Sequence, residues 1–352
     1  MHPTILLYGA YGYTGRLVAR LAKEKGIPVR LAGRDPAKLE ELSRETGHPF
    51  AAFGLDDPAA LANALRGHAV VLHCAGPFEH TYRAMAEACF AAGVHYLDIT
   101  GEISVFEGLA ALDARAKAAG VMLLPGAGFD VVPSDCLAAH LARRLPTATR
   151  LSLAFRGLGG GVSHGTATTM VENLHRGGQV RRDGKLVDVP TAHLARTIRF
   201  SGGEQSCATI PWGDVSTAFH STGIPDIEVF TGFPKGAVTF LRLTRPFSGL
   251  LGAGWVQRRL KRAIDARPAG PSDAQRAAAK SELWGEAKDP SGARVEATLD
   301  TPEGYTLTAM ASLEIARRVA AGEAKPGFQT PSRAFGADFV LGFPGVTRTD
   351  VV

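Results

Sequence analysis

Cysteine is scarce in this sequence, in which 352 residues include four, at positions 74, 89, 136 and 207. None of them has CxxC spacing, and their density is far below that of a secreted disulfide scaffold. Cys74 and Cys136 stand in apolar runs, so we interpret them as buried thiols of a protein kept in a reducing compartment.

Long apolar runs are also missing. No uninterrupted run reaches the roughly 18 residues that a transmembrane helix requires. The first predicted strand begins at about Thr4, which leaves no room for an N-terminal signal peptide. The two absences together predict a cytoplasmic protein with no transmembrane segment.

The sequence carries little net charge and no recognisable metal motif. Its 39 Lys and Arg against 34 Asp and Glu leave a net charge of +5. The basic residues are dispersed, apart from the run Arg258–Arg262, and we therefore predict no nucleic-acid partner. The histidines are scattered, without an HxxxH pair, so no metal site is predicted.

The first 35 residues contain the most informative pattern. Thr4–Tyr8 is an apolar run of strand length, the glycine-rich segment GAYGYTG occupies 9–15, and Arg16–Lys23 has apolar residues at helical spacing. Such glycines permit a tight turn, let a pyrophosphate approach the backbone and let the helix pack on the strand. The spacing GxxGxxG is rarer than GxGxxG, and by itself it is weak evidence for dinucleotide binding. Because one strand precedes it and a second strand, Val29–Gly33, follows its helix, we predict that this segment is a dinucleotide-binding turn.

The end of the second strand indicates which dinucleotide binds. NAD-binding domains place an acidic residue there, roughly 20 residues past the glycines, to bind the ribose hydroxyls. This chain has Gly33, Arg34 and Asp35 instead, with Lys38 one helical turn later. A guanidinium can bind a 2′-phosphate through two hydrogen bonds, and Gly33 removes the carboxylate that would repel it. We predict NADP(H). The alternatives are that Arg34 merely caps a turn, and that Asp35 reaches a ribose hydroxyl and permits NAD.

The order of predicted elements indicates two domains. About six strands alternate with helices up to residue 146, and Asp35-Pro36 and Asp57-Pro58 each predict a helix start. This alternation is typical of an α/β fold, a Rossmann-type doubly wound parallel sheet, over 1–146. Residues 147–305 show mostly strand patterns, which predict a second, mixed α/β domain with a largely antiparallel sheet for substrate binding and dimerisation. We expect 306–352 to complete the first domain. The predicted strands of the second domain include Leu186–Val189, Ala195–Phe200, Ile227–Phe233, Ala237–Leu243 and a hairpin of 282–289 with 294–300.

Acidic residues after two strands are the candidate proton donors. Glu102 follows the strand His95–Thr100, and Asp130 follows the glycines at the end of the next one. In a doubly wound sheet these positions border the ligand cleft, and hydride transfer needs a group that supplies or receives a proton. The alternatives are a helix N-terminal carboxylate for Glu102 and a local cap for Asp130. Weaker candidates for the same role are His80, Tyr96 and His164.

Several of these segments together resemble one family. They are GAYGYTG at 9–15, AGRD at 32–35, CAGPF at 74–78, HYLDITGE at 95–102, GAGFDVVPSD at 126–135 and QTPSRAFG at 329–336. They are similar to the saccharopine dehydrogenase-like oxidoreductases, a group that includes trans-acting enoyl reductases. The resemblance implies an NADP(H)-binding Rossmann domain, an inserted substrate domain and a homodimer. The predicted cofactor-binding residues are Gly9, Tyr11, Gly12, Tyr13, Thr14, Gly15, Gly33, Arg34, Ala75, Gly76, Pro77 and Phe78.

The predicted function follows from this resemblance. We expect an NADP(H)-dependent oxidoreductase that transfers hydride to the C=N bond of an amino-acid-derived imine or the C=C bond of an enoyl-acyl thioester. The arginine-bearing substrate segments of the saccharopine-forming enzyme are not recognisable here. For an acyl substrate, Arg258–Arg262 would be a carrier-docking patch. The alternatives for Phe247–Val256 are an apolar surface for acyl chains, a membrane face and a buried helix start, of which its length favours the last. The alternative function is a non-catalytic NADP-binding sensor or scaffold.

Overall fold

The computed structural model describes residues 4–173, 175–234, 236–243, 245 and 253–352. Its contacts divide the chain into two compact units, which we call unit 1 and unit 2. Unit 1 covers the chain up to Val132 together with Tyr305–Ala334. Unit 2 covers Pro133–Gly304 together with Phe335–Val352.

Strands alternate with helices in unit 1 and follow one another more often in unit 2. The strands, in chain order, are β1 (Ile5–Tyr8), β2 (Val29–Gly33), β3 (Phe50–Ala52), β4 (Val70–His73), β5 (His95–Asp98), β6 (Met122–Leu124), β7 (Arg150–Leu158), β8 (Gly178–Arg182), β9 (Lys185–Val189), β10 (Ala195–Phe200), β11 (Gly203–Thr209), β12 (Asp226–Gly232), β13 (Lys280–Lys288), β14 (Arg294–Pro302), β15 (Gly327–Phe328) and β16 (Thr347–Asp350). The helices are α1 (Tyr13–Glu24), α2 (Pro36–Thr46), α3 (Pro58–Leu65), α4 (Tyr82–Ala92), α5 (Ile103–Ala110), α6 (Asp113–Ala118), α7 (Val132–Arg144), α8 (His164–Asn173), α9 (Asp214–Thr222), α10 (Ala237–Leu243), α11 (Gly254–Asp265), α12 (Asp273–Ala278), α13 (Gly304–Arg318) and α14 (Pro331–Phe335).

Sheet A forms the centre of unit 1. Its seven strands lie in the order β15-β6-β5-β4-β1-β2-β3, and all are parallel. The chain moves outward from β1 to β3 and then returns to place β4 on the other side of β1. This doubly wound order confirms the predicted Rossmann-type sheet, and it puts the switch point, where such sheets bind ligands, between β1 and β4.

The core of unit 1 is built on both faces of sheet A. β1 reads ILLY, and all four residues are buried, as expected for a strand that helices cover on both sides. Tyr8, Val71, Tyr96 and Leu123 pack in one apolar cluster with Phe328 of β15. Because β15 comes from the far end of the chain, the C-terminal region helps to close this core.

The two Asp-Pro pairs begin helices as the sequence predicts. Asp35 caps α2, accepting hydrogen bonds from the backbone N–H groups of Ala37 and Lys38 at 3.0 and 3.3 Å. Asp57 caps α3 in the same way, with both bonds at 3.0 Å. In each helix a proline takes the first position, where its missing N–H removes no intrahelical bond.

Sheet B forms the centre of unit 2. Its strands lie in the order β10-β11-β12-β7-β13-β14-β16, and the β8–β9 hairpin joins β12. β7 and β12 run parallel, and the other described pairs are antiparallel. The predicted hairpin is confirmed as β13 and β14, paired from Lys280↔Pro302 to Lys288↔Arg294. The second unit is therefore mixed α/β with a largely antiparallel sheet, as predicted.

The prediction of a strand at Ala237–Leu243 is wrong, because this segment forms helix α10. Its apolar and β-branched residues fit either conformation, as short apolar runs often do. A turn precedes it, in which Gly236 has a φ of +82° and the N–H of Ala237 bonds to the carbonyl of Pro234 at 3.1 Å. Arg242 then anchors α10 to the carbonyl oxygens of Ala192 and His193.

The limits of the units differ from the predicted domain limits at two places. Helix α7 lies in unit 2, although the sequence suggests that the first domain extends to 146. The tail 335–352 also lies in unit 2, because β16 adds to sheet B beside β14. His140 of α7 bonds to Asp350 of β16 at 2.7 Å, and Arg143 bonds to Asp338 at 3.1 Å. Strand pairing and side-chain contacts between distant segments thus set these limits.

The apolar segment Phe247–Val256 falls partly outside the described residues, since 246–252 are not among them. Its described end begins α11, where Trp255 is 63% exposed. In the described ranges, no helix has both the length and the apolar character that crossing a bilayer would demand.

A buried ion pair joins β7 to β13 in unit 2. The Arg156 guanidinium donates to Glu282 Oε2 from Nε and Nη2, at 2.9 and 2.6 Å. Glu282 is fully buried and Arg156 is 8% exposed. The ring of Phe200 lies 4.8 Å from the guanidinium carbon, and the N–H of Gly202 donates to the same carboxylate oxygen. The pair therefore fixes the β10–β11 turn on the central strands.

We predict that Glu282→Leu lowers the free energy of unfolding of unit 2 by about 3 kcal/mol, because Arg156 keeps a buried charge without its partner. The double variant with Arg156→Met should recover most of this loss. Tryptophan fluorescence during urea unfolding measures the effect, since all three tryptophans lie between residues 133 and 304. The control is Asp273→Leu, which removes an ion pair whose carboxylate is 81% exposed. A Glu282 variant as stable as this control would contradict the prediction.

Candidate cofactor and active site

Five loops meet along the carboxyl edge of sheet A. The strand order β2-β1-β4-β5-β6 arranges the loops that follow these strands in the same spatial order. They begin at Arg34, at Gly9, at Cys74, at Ile99 and at Pro125. Because adjacent strands lie about 4.8 Å apart, the edge provides a row of neighbouring loops rather than separate sites.

The glycine turn after β1 touches the loop after β4 through backbone atoms. Gly9 has a φ of +77°, and a Cβ at this position would lie 2.8 Å from both the nitrogen of Ala75 and the carbonyl carbon of Cys74. Gly15 packs on the same turn, where a Cβ would lie 2.4 Å from the Gly9 oxygen. Both positions therefore need glycine for steric reasons.

The N-terminus of α1 is open to an anionic group. Its N-cap is Gly12, which brings no side chain to the helix end, and the first turn contains no acidic residue. Arg16, in the same turn, donates from Nε to the carbonyl oxygen of Tyr11 at 3.3 Å. The N–H groups and the partial positive charge of a helix N-terminus bind phosphate groups. These features fit a pyrophosphate.

The end of β2 supports the prediction made for Arg34. A Cβ on Gly33 would lie 2.6 Å from Cε1 of Tyr11, so the absence of a side chain lets this ring lie over the strand end. The Nζ of Lys38 stands 5.6 Å from the centre of the same ring. Arg34 is exposed, and its side chain forms no hydrogen bond or ion pair within the described ranges.

The carboxylate of Asp35 already has partners in its own helix. It accepts from two backbone N–H groups of α2, and Lys38 Nζ lies 3.5 Å from its second oxygen. These contacts, first the hydrogen bond from the Lys38 N–H, hold the pKa of Asp35 below its usual range. Asp35, and not Arg34, thus caps this turn, which argues against the first alternative. The second alternative, a contact between Asp35 and a ribose hydroxyl, stays open, because both backbone hydrogen bonds go to Oδ1.

Glu102 holds the loop that follows β4. Its Oε1 accepts from the N–H of Phe78 at 2.9 Å, and its Oε2 accepts from the N–H of Glu79 at 2.7 Å. Glu102 is also the N-cap residue of α5, although its side chain does not cap that helix. Both carboxylate oxygens are therefore engaged in fixing the backbone beside Gly76 and Pro77.

A histidine and a threonine hold the other side of this loop. Thr81 Oγ1 donates to the carbonyl oxygen of Ala75 at 3.0 Å and lies 2.9 Å from Nε2 of His73. Burial lowers the pKa of His73 to about 3, so the ring is neutral at physiological pH and Nε2 can donate to the threonine. Nothing in the sequence signals Thr81, and His73 is marked only by its place at the end of β4.

Asp98 organises the loops after β5 and β6. Its Oδ1 accepts from the N–H groups of Thr100 and Gly126, both at 2.9 Å, and Tyr96 donates to its Oδ2 at 2.6 Å. Burial raises the pKa of Asp98 to about 7. Tyr96 is fully buried and bonded to this carboxyl group, so it does not reach a cleft.

Asp130 lies against the loop that carries Glu102. A Cβ on Gly101 would lie 2.8 Å from Asp130 Oδ2, and the neighbouring N–H of Phe129 donates to Thr308 Oγ1 at 2.9 Å. Burial, followed by the charge of Glu102, raises the pKa of Asp130 to about 7. This half-buried carboxyl group can therefore hold or release a proton near neutral pH. Nothing in the sequence signals Thr308, which α13 supplies from 179 positions away.

The two histidines that are weaker candidates for the proton donor differ from Glu102 and Asp130 in their surroundings. His80 is exposed in a short 3-10 helix, Phe78–His80. His164 belongs to unit 2, where its Nε2 lies 2.7 Å from the carbonyl oxygen of Arg267. Across the ranges the structure describes, no group of three or more His, Cys, Asp or Glu side chains could hold a metal ion.

The comparison with protein families decides which kind of domain unit 1 contains. Residues 5–124 match the family model described as the saccharopine dehydrogenase NADP binding domain. Over these residues the chain is similar to the saccharopine dehydrogenase-like family. The resemblance predicted from the sequence is confirmed. The match covers β1 to β6, and hence the glycine turn, Arg34, the loop after β4 and Glu102.

Named relatives of the NADP-binding domain include two kinds of oxidoreductase. The chain is 31% identical over 148 residues to a trans-acting enoyl reductase of Mycobacterium ulcerans, covering 40% of this chain and 35% of the relative. A putative trans-acting enoyl reductase of Mycobacterium tuberculosis is 32% identical over 183 residues, with 48% and 44% covered. The saccharopine dehydrogenase-like oxidoreductase of Homo sapiens is 31% identical over 152 residues, with 37% and 35% covered. The chain thus spans well under half the length of these relatives.

A solved structure extends the similarity of fold beyond the NADP-binding domain. Apo saccharopine dehydrogenase (L-Glu forming) from Saccharomyces cerevisiae superposes with a TM-score of 0.67 and covers 99% of both chains. The sequence identity is 13%, so this match supports the fold alone.

We predict that Asp130→Asn reduces the dependence of stability on pH. A carboxyl group whose pKa is raised to about 7 in the folded state binds a proton that the unfolded chain, with a pKa of about 3.9, has released. The free energy of unfolding should therefore fall as the pH rises from about 4 to about 7, and the asparagine variant should show a smaller fall. Urea unfolding across this range provides the measurement, with the exposed Asp56→Asn as control. Equal pH dependence in wild type and Asp130→Asn would contradict the assignment.

Proposed function

We propose that the chain is an NADP(H)-dependent oxidoreductase that reduces a C=N or C=C bond of an amino-acid-derived imine or an enoyl-acyl substrate. The assignment of NADP(H) as the cofactor rests on the residues at the end of β2. There, Arg34 is exposed and unpaired among the described residues, while the neighbouring Asp35 is bonded within α2. A guanidinium with no acidic partner suits a 2′-phosphate, which it can bind in a bidentate manner.

The residues present fit the cofactor at three further places. The N-terminus of α1 at Gly12 would take the pyrophosphate, because no side chain or acidic residue opposes it. Ala75, Gly76, Pro77 and Phe78 would line the nicotinamide half, on the loop that Thr81 and Glu102 hold. When bound, NADPH supplies a hydride, and the protein has to orient the ring and exclude water.

We assign different roles to the two candidate carboxyl groups. Both oxygens of Glu102 accept backbone hydrogen bonds from the loop after β4, which supports a positioning role. Asp130 has a pKa raised to about 7, which is near the value that suits proton transfer at neutral pH. We therefore favour Asp130 as the group that supplies the proton.

The substrate class has two candidates, because the names of the relatives point in two directions. The name trans-acting enoyl reductase supports a C=C bond, whereas the name saccharopine dehydrogenase-like oxidoreductase supports the C=N bond that the family resemblance implies. The family match covers residues 5–124, the NADP-binding domain, and so does not choose between the two substrate classes. The homodimer, the acyl-thioester substrate and the cytoplasmic location stay predictions.

A non-catalytic NADP-binding sensor or scaffold is the second candidate function. Its support is that every feature of the site described above serves binding of the cofactor, apart from the raised pKa of Asp130. A fold and a cofactor site do not by themselves establish turnover.

We predict that Arg34→Ala weakens NADPH binding selectively, by about 1.5–3 kcal/mol, because a charge-assisted contact to the 2′-phosphate is lost. This corresponds to roughly a 10- to 100-fold higher dissociation constant, with NADH unchanged. Calorimetric titration of both cofactors measures it. Arg44→Ala, which removes the same charge from the last turn of α2, is the matched control. If Arg34→Ala weakened both cofactors equally, or neither, the assignment would fail.

We predict that the protein oxidises NADPH in the presence of one of two probe substrates. The decrease in NADPH absorbance measures this reaction. Crotonyl-coenzyme A tests reduction of C=C, and an α-keto acid mixed with an amino acid tests reduction of C=N. Asp130→Asn should slow the productive reaction about 100-fold or more if it removes the proton donor, while NADPH binding stays intact. Tight NADPH binding without oxidation by a broad panel of both kinds would favour the sensor or scaffold instead.

A further inference from the structure

Helix α11 carries an exposed stripe of one tryptophan and three arginines outside the proposed cofactor site. The term basic stripe refers here to four residues: Trp255, Arg258, Arg259 and Arg262. All four are exposed, and the indole of Trp255 is 63% accessible. At 100° per residue they fall within an arc of about 100° on the helix surface. The stripe is therefore continuous along α11.

The opposite face of α11 is the one that packs on unit 2. Ile264 is 6% exposed, and it lies on the far side of the helix from Trp255. Gln257 Nε2 donates to the carbonyl oxygen of Val171 at 2.9 Å, and Lys261 Nζ pairs with Glu172 at 2.6 Å. These contacts attach α11 to α8 and fix which face remains exposed.

The charge of the stripe has no counterpart in the described residues. Arg258, Arg259 and Arg262 form no ion pair there, in contrast to Lys261 beside them. The helix contains a single acidic residue, Asp265, at its last position. A convex surface of this kind, with three unpaired guanidinium groups, complements an extended anionic surface better than a single small anion.

The tryptophan decides between an acidic protein and a membrane. Indole rings prefer the region of lipid headgroups, because the ring is apolar and its N–H is polar. Clusters of arginines on a protein surface bind anionic lipid headgroups. A second apolar side chain, Met170 of the adjoining helix α8, is 52% exposed. Exposed apolar and cationic side chains thus occur on two helices that contact each other.

We propose that α11 docks the protein on an anionic lipid surface, with the arginines at the phosphate groups and Trp255 among the headgroups. This attachment is reversible and peripheral. It involves no residue of unit 1, where the proposed cofactor site lies.

Vesicle sedimentation of the full chain tests the proposal. We expect binding to equimolar phosphatidylcholine and phosphatidylserine, weak binding to phosphatidylcholine alone, and release as the salt concentration rises. The triple variant Arg258→Ala, Arg259→Ala, Arg262→Ala should bind roughly 100-fold more weakly, whereas lysine at the same three positions should retain binding. Alanine at Arg44, Arg66 and Arg199, three exposed arginines elsewhere, is the matched control.

Tryptophan emission provides an independent measurement. We expect a blue shift when wild type binds the anionic vesicles, because an exposed indole enters the headgroup region, and no such shift for Trp255→Ala. Thermal unfolding confirms that each variant is folded. The proposal is overturned if the protein binds neither kind of vesicle, if it binds both equally, or if the control variant loses binding as much as the triple variant does. An acidic protein as the natural partner would give the first of these results.

Discussion

Two backbone turns touch at the switch point of sheet A with no side chain between them, and the site depends on this contact. Gly9 lies against the backbone of Cys74 and Ala75 so closely that a Cβ would stand 2.8 Å away. The turn that begins α1 and the loop after β4 can therefore form one continuous surface. A larger residue at position 9 would separate them and move the loop that Thr81 and Glu102 hold.

Carboxyl groups set the electrostatics of the neighbouring part of the edge. Asp98 and Asp130 have their pKa values raised to about 7, in each case chiefly by burial and with a contribution from the charge of Glu102. Their surroundings differ, because Asp98 accepts three hydrogen bonds that connect loops, whereas Asp130 lies beside Gly101 at the edge. The carboxyl group of Asp98 thus connects loops by hydrogen bonds, whereas the carboxyl group of Asp130 can exchange a proton.

Local patterns predicted most helices and strands. The two errors have different causes: one short run fits two conformations, and one segment is placed by long-range pairing. The Asp-Pro pairs at 35 and 57 begin helices because capping and proline act within one turn. Ala237–Leu243 was predicted as a strand and is a helix, since a short apolar run is compatible with both. The tail 335–352 could not be assigned from its own residues, because its place follows from the pairing of β16 with β14.

The sequence alone determined the type of sheet in unit 1, the glycine turn and the position of Arg34 after β2, because each depends on residues close together in the chain. It also carried the resemblance that the family comparison confirms. Only the tertiary structure decided what the carboxyl groups touch. Glu102 meets the N–H groups of Phe78 and Glu79 across 24 and 23 positions, and Thr308 meets Phe129 across 179. Such contacts follow from strand order and packing, which no local pattern contains.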